Sequence, residues 1–180
     1  MNLQISEDNN QSFFLLIGEI NLESAKDIIE WILSANFAEE RPESLNIIIT
    51  SPGGDLNAAF AIIDTMKGSA IPIRTIGLGQ IASAGLMIFL AGSKGQRVLT
   101  PNTSILSHQY TWGAFGKEHE LFATVKEYDL TTKKVVEHYK KTTGLAEKKI
   151  REVLLPPQDV WLSPNEAKKL KICDDVKDLG

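Results

Sequence analysis

Only one cysteine, Cys173, occurs in 180 residues, which excludes a disulfide framework within the chain and a zinc site built on cysteine pairs. A lone thiol of this kind reads as a small buried hydrophobe and suits a reducing compartment. No apolar run approaches the roughly 20 residues that cross a bilayer. Residues 1–10 are polar and acidic instead of basic then apolar, so neither a membrane span nor a leader is expected. Basic charge is not in excess either: the formal net charge is −4, with lysines scattered among glutamates, which leaves no footprint for nucleic acid. Internal repeats, low-complexity tracts and linkers are missing, as is the Gly-Lys-Ser or Gly-Lys-Thr ending of a phosphate loop. The expectation is a soluble, cytoplasmic protein.

What is present suffices for one domain over 1–180, because 43% hydrophobic residues can build a single sizeable core. An apolar strand is expected at 13–17, closed by Gly18, then a helix capped by Asn21 with Glu23 in its first turn. Ala25, Ile28, Ile29, Ile32 and Leu33 recur at spacings of three and four, so one face of that helix is core. The run 45–50 is apolar throughout and suits a strand covered on both faces, as in a parallel sheet. Ser51-Pro52-Gly53-Gly54 turns the chain, and Asp55 caps a helix over 58–66. A strand at 71–78, a helix at 86–91 and extended segments at 97–100 and 104–107 follow. Strand and helix alternate in short units, which argues for an α/β fold.

Residues 117–143 contain neither proline nor glycine, and Leu121, Val125, Tyr128, Thr132, Val135 and Tyr139 form a stripe near helical period before Gly144. A helix of about 25 residues spans nearly 40 Å, too long for a domain of this size to cover, so part of it projects and meets a partner, or else is a solvated surface helix. A shorter helix at 146–155 is stopped by Pro156-Pro157. Ser163-Pro164-Asn165-Glu166 has the form of a capping box, which makes Ser163 structural.

The chemistry centres on Gly79-Gln80-Ile81-Ala82-Ser83-Ala84-Gly85, which sets one serine among small residues between a β-branched strand and an apolar helix. At such a corner Ser83 either exposes its hydroxyl as an acyl-transfer nucleophile or caps the helix. A nucleophile needs a base, and the chain has three histidines. His119 and His138 lie in the long charged helix and read as solvated or packed. His108 ends the strand 104–107 and opens a glycine-containing loop, where it is either a base or a satisfied histidine bonding a loop carbonyl. Asp159, flanked by uncharged residues, would find a partner in His108, or else is exposed or paired with a lysine of the last helix. Gly53-Gly54 lets the backbone approach a ligand and aim an amide at an oxyanion, although Pro-Gly-Gly alone is usually just a turn.

Several motifs in register give a sharper indication. Thr50-Ser51-Pro52-Gly53-Gly54, the Gly79–Gly85 stretch, Gly92-Ser93-Lys94-Gly95-Gln96-Arg97, Pro101-Asn102, His108-Gln109 and Asp159-Val160-Trp161-Leu162-Ser163 with Glu166-Ala167 resemble the proteolytic subunit of the Clp protease family from Phe13 onward. The resemblance implies a spiral of strand-strand-helix units, shared with crotonases, and an ATP-dependent-type serine endopeptidase. Ser83 would be the nucleophile, His108 the base and Asp159 its orienting group. The amides of Gly54 and Ala84 would form the oxyanion hole. Gln109, Tyr110 and Thr111, within a segment 109–116 beside the site, would bind an extended peptide as an added strand. It further implies a homo-oligomer of seven-membered rings stacked as a tetradecamer around a sealed chamber, with the 117–143 helix as the handle that interlocks the rings. Substrates would be unfolded polypeptides, and a separate AAA+ unfoldase would consume the ATP. No metal or organic cofactor is implied.

Two departures stand out against the family pattern. Only 12 residues precede the first expected strand, where the family usually has a longer segment forming axial loops. Pro157-Gln158 replace an acidic residue and an arginine that pair across the ring interface. Two other readings remain. One is a catalytically weak structural or regulatory ring subunit that assembles with an active one. The other is an acyl-CoA enzyme of the crotonase type, which would need glutamates in place of the serine and histidine.

Overall fold

The computed structural model describes residues 10–111 and 113–178. The acidic start of the chain and Trp112, within the expected peptide-binding segment, lie outside these residues. Thirteen elements are present among those described: strands β1 (Gln11–Ile17), β2 (Ser44–Ser51), β3 (Ile73–Ala82), β4 (Arg97–Leu99), β5 (Ser104–Ser107), β6 (Val160–Leu162) and β7 (Asp175–Val176), and helices α1 (Leu22–Phe37), α2 (Leu56–Gly68), α3 (Ala84–Leu90), α4 (Glu118–Thr143), α5 (Glu147–Val153) and α6 (Pro164–Lys169). The alternation confirms the α/β reading. Among the described residues no helix is long and apolar enough to cross a membrane.

The sheet order is β1-β2-β3-β4-β7, all parallel. The core lies where the sequence is most apolar: Leu45, Ile47 and Ile49 of β2, Ile28 and Ile32 of α1, Ile62 and Ile63 of α2, and every residue of α3 are buried. Caps form at the residues that carry the chemistry for them. Asn21 accepts from Ser24 N, Asp55 from Ala58 N, and Ser163 exchanges bonds with Glu166.

The feature that positions the site is a fork in β3. Its first part, at Thr75–Gly77, pairs with β4, whereas Gln80, Ile81 and Ala82 pair with β5. Extra residues bulge out on β3 between these partners: Ile49 faces Gly77 but Ser51 faces Ile81. Gly79 takes φ 61° inside this bulge, a conformation that glycine adopts without penalty. The strand therefore runs four residues beyond the expected end at 78, because its second half has a partner that sequence periodicity does not show. On the β4 side, Arg97 is 5% exposed, and its guanidinium makes two bonds to Asp174 and one to Thr142 O, fastening the end of α4 to β7's approach.

Candidate active site

Strand register gathers the three chemistry-bearing residues. β5 runs parallel to the end of β3 with Ala82 opposite Leu106, so Ser83 and His108 follow the same end of neighbouring strands. β6 then pairs antiparallel with β5, Val160 opposite Ser107, which sets Asp159 across from His108. His108 Nδ1 lies 3.9 Å from Asp159 Oδ1; the histidine is 22% exposed and the aspartate 65%. That spacing lies outside hydrogen-bond length.

Ser83 adopts φ 52° and ψ −120°, a backbone conformation that costs a non-glycine residue on the order of 1–3 kcal/mol. The main chain pins it there: Ser83 N donates to Leu106 O at 3.0 Å, and Ser83 O accepts from Met87 N in the first turn of α3. Its side chain makes no capping bond. Of the two roles open to it from sequence, the capping one is thereby removed. The hydroxyl lies between two cavities that share Leu56, Ser83, His108 and Tyr110. One runs inward between α3 and α4, and the other is a polar cleft that also touches Gly54 and Thr111.

The glycine pair has a separate reason at each position. A Cβ on Gly53 would sit 2.6 Å from Ser83 Cβ and 3.2 Å from Ala84 N, so the loop packs directly on the corner. A Cβ on Gly54 would sit 2.1 Å from Ile20 O, where the two segments form a parallel bridge. In that bridge Gly53 O accepts from Ile20 N and Asp55 N donates to Ile20 O, which turns Gly54's own N–H to the opposite side. Ser51, fully buried, accepts from Gly53 N at 3.1 Å and so holds the loop in place, a supporting role that its turn-like sequence context conceals.

Of the three expected peptide-binding residues, Tyr110 and Thr111 line the cleft. Gln109 lines the inner cavity, and its Nε2 is committed to Leu155 O at 2.9 Å. The described part of the 109–116 segment forms no strand in the free chain. Sequence reasoning did not find the buried pin beneath His108: Ser107 Oγ bonds Tyr139 Oη at 2.8 Å, and burial pushes the Tyr139 phenol up to about 12, so it stays protonated. The other two histidines lie away from this site's two cavities. His119 is exposed, whereas His138 is buried on the inner half of α4 with Nε2 2.8 Å from Met87 O.

A family model described as Clp protease matches residues 4–179. The chain belongs to the Clp protease family. It is 34% identical over 175 residues to the ATP-dependent Clp protease proteolytic subunit 2 of Treponema denticola, covering 94% of this chain and 86% of that one. Among solved structures it is similar to a ClpP1 mutant from Listeria monocytogenes, with TM-score 0.81, 29% identity, and coverage of 93% of this chain and 92% of the other. The peptidase function of this chain follows from the family.

Proposed function

We propose that this chain is a serine endopeptidase subunit in which Ser83 is the nucleophile, His108 the general base and Asp159 the group that orients it. The observation that carries the reading is the strained, uncapped Ser83 at the mouth of two cavities beside His108. In the reaction His108 Nε2 takes the proton from Ser83 Oγ as the oxygen attacks the scissile carbonyl, and Asp159, on the Nδ1 side, stabilises the imidazolium. The carbonyl electrons move onto oxygen, which the N–H groups of Gly54 and Ala84 receive. Collapse of this intermediate expels the amine, which takes the proton back from His108 and leaves an acyl-serine for water to hydrolyse. Closing the 3.9 Å His108–Asp159 separation by about 1 Å accompanies substrate binding, as catalytic hydrogen bonds are often long in free enzymes.

The proposed setting is a homo-oligomeric ring chamber for unfolded polypeptides, with seven-membered rings stacked through α4 and ATP consumed by a separate unfoldase. Support comes from apolar side chains that have no cover on the single chain. Phe122, at 70% exposure, lies on α4, and Ile17, at 67%, lies on the edge strand β1. A second reading, a catalytically weak ring subunit paired with an active one, draws on the same looseness of the His108–Asp159 contact.

Treatment with a fluorophosphonate followed by peptide mapping separates the two. An adduct on Ser83 is the expected result; no adduct in assembled protein would bring the weak-subunit reading to the front. Ser83→Ala should lower peptide hydrolysis at least ~10⁴-fold while leaving assembly intact. Hydrolysis persisting in a clean preparation of that variant rules out the assignment.

A further inference from the structure

His108 and Asp159 both stand just past the strands that carry them. The β5–β6 ladder ends with Ser107 opposite Val160, one residue short of each. Among the described residues the Asp159 carboxylate accepts no hydrogen bond, and it is 65% exposed. Its place is therefore set by the main chain on either side of it. β6 holds the chain after Asp159. The chain before it comes from the end of α5, where carbonyls run out of partners within the helix. Two side chains supply those partners, and they are the two neighbours of His108. Ser107 Oγ donates to Leu154 O at 2.5 Å, and Gln109 Nε2 donates to Leu155 O at 2.9 Å. Only Pro156, Pro157 and Gln158 separate Leu155 from Asp159, and each proline ring fixes its own φ. The link from the bonded carbonyls to Asp159 is short and stiff.

Tyr139 sets the direction of the first bond. A serine hydroxyl has one proton, and Leu154 O can only accept it, so Tyr139 Oη donates to Ser107 Oγ across 2.8 Å. With its phenol pushed up to about 12 by burial, Tyr139 keeps the proton this requires. Ser107, Tyr139 and Leu154 are all buried, and a satisfied chain of hydrogen bonds away from water is rigid because each bond polarises the next.

We infer that Ser107 and Gln109 are positioning residues for the proposed base. They clamp the main chain on both sides of His108 to the two carbonyls that lead into Asp159, and so fix how far apart the imidazole and the carboxylate stand. Without the clamp, Asp159 drifts from His108 and the imidazolium loses its partner. The inference rests on the peptidase reading above, and it moves Gln109 from peptide binding to support of the base.

The test uses Gln109→Met, which removes one bond at similar volume, and Ser107→Ala, which removes the other. On assembled protein each should lower kcat for one peptide by roughly 10- to 100-fold, the scale of an ~1 Å misplacement, with KM within about 2-fold. Gln109→Met should slow fluorophosphonate labelling of Ser83 to a similar degree. Combined with Asp159→Asn, which removes the charge that the clamp holds in place, it should change the labelling rate by less than about 2-fold. A merely structural bond would show no such dependence on Asp159. Because Ser107 is buried, Gln109→Met decides the outcome if Ser107→Ala does not assemble. An unchanged kcat, a higher KM with kcat unchanged, or a full loss that persists beside Asp159→Asn overturns the proposal. Label on Ser83 of the unaltered chain with kcat indifferent to these variants removes the clamp alone. Absence of both label and hydrolysis in the unaltered chain removes the peptidase reading and this inference with it.

Discussion

Along the outer half of α4, residues 118–130, no side chain is buried, and Leu121, Phe122, Val125 and Leu130 are 37–70% exposed. Along the inner half, residues 131–143, Thr131, Val135, Val136, His138, Tyr139 and Thr143 are buried. Both halves are equally helical, and the stripe of apolar residues crosses from one to the other without a break. The inner half meets α3, where His138 Nε2 lies 2.8 Å from Met87 O, while the outer half, among the described residues, is touched near its end by the Tyr110 ring on Tyr128. Helix formation is set by local propensity and by the absence of proline and glycine, whereas burial is set by what lies across from each face. The inner half serves the site as well, since Thr132, Val135 and Tyr139 wall the cavity beside Ser83. One continuous helix thus joins a face suited to another subunit to the wall of the candidate active site.

Truncation in the inner half should have the largest effect. Tyr139→Ala removes a fully buried ring and leaves Ser107 Oγ without its phenol partner. It should cost the dissociated subunit about 3–5 kcal/mol in urea unfolding. A loss below about 1 kcal/mol would mean that the inner half is not part of the core.

A pH dependence comes next. Burial lowers the His138 pKa from 6.5 to about 4, against the opposing bond to Met87 O and with Lys67 and Lys141 adding to the burial effect over Asp64. Since the unfolded chain binds this proton at higher pH than the folded one, stability is full above about 6.5, falls as pH drops toward 4 and levels off below. The total is about 3 kcal/mol. His138→Leu should flatten that part of the curve, and an unaltered slope in the variant would remove His138 as its source.

The smallest effect on the chain itself should come from the outer half. Phe122→Ser should change the stability of the dissociated subunit by no more than about 0.5 kcal/mol. If the outer half of α4 stacks the rings as proposed, the same change reduces particle mass in light scattering. Unchanged mass with unchanged stability would mean that the outer half is solvated surface.

Much of this was legible in the residues. The helix expected at 117–143 runs from Glu118 to Thr143 and ends at Gly144 in the left-handed conformation, φ 73°, that glycine favours. The caps at Asn21, Asp55 and Ser163 also lie where their side chains suggested, since a cap depends on residues three apart in the chain. Strands β6 and β7 were not legible. Three and two residues long, they carry too little periodicity to be seen, and they exist because β5 and β4 offer partners. Nor could spacing separate a capping Ser83 from an exposed one, because that choice depends on φ 52° and on a main-chain bond to a different strand.

The sequence by itself determined the α/β alternation, the capped helix ends at Asn21, Asp55, Ser163 and Gly144, and the family, all of which follow from local propensity, capping and motifs read in order. Tertiary structure decided how the candidate site is assembled. Ser83, His108 and Asp159 meet through the register of β3 on β5 and of β5 on β6, and strand register is a long-range property that no short stretch of chain contains. It also decided that Thr132, Val135 and Tyr139 of α4 wall the inner cavity, because only the packing of α4 against the Ser83 corner fixes which side chains face it.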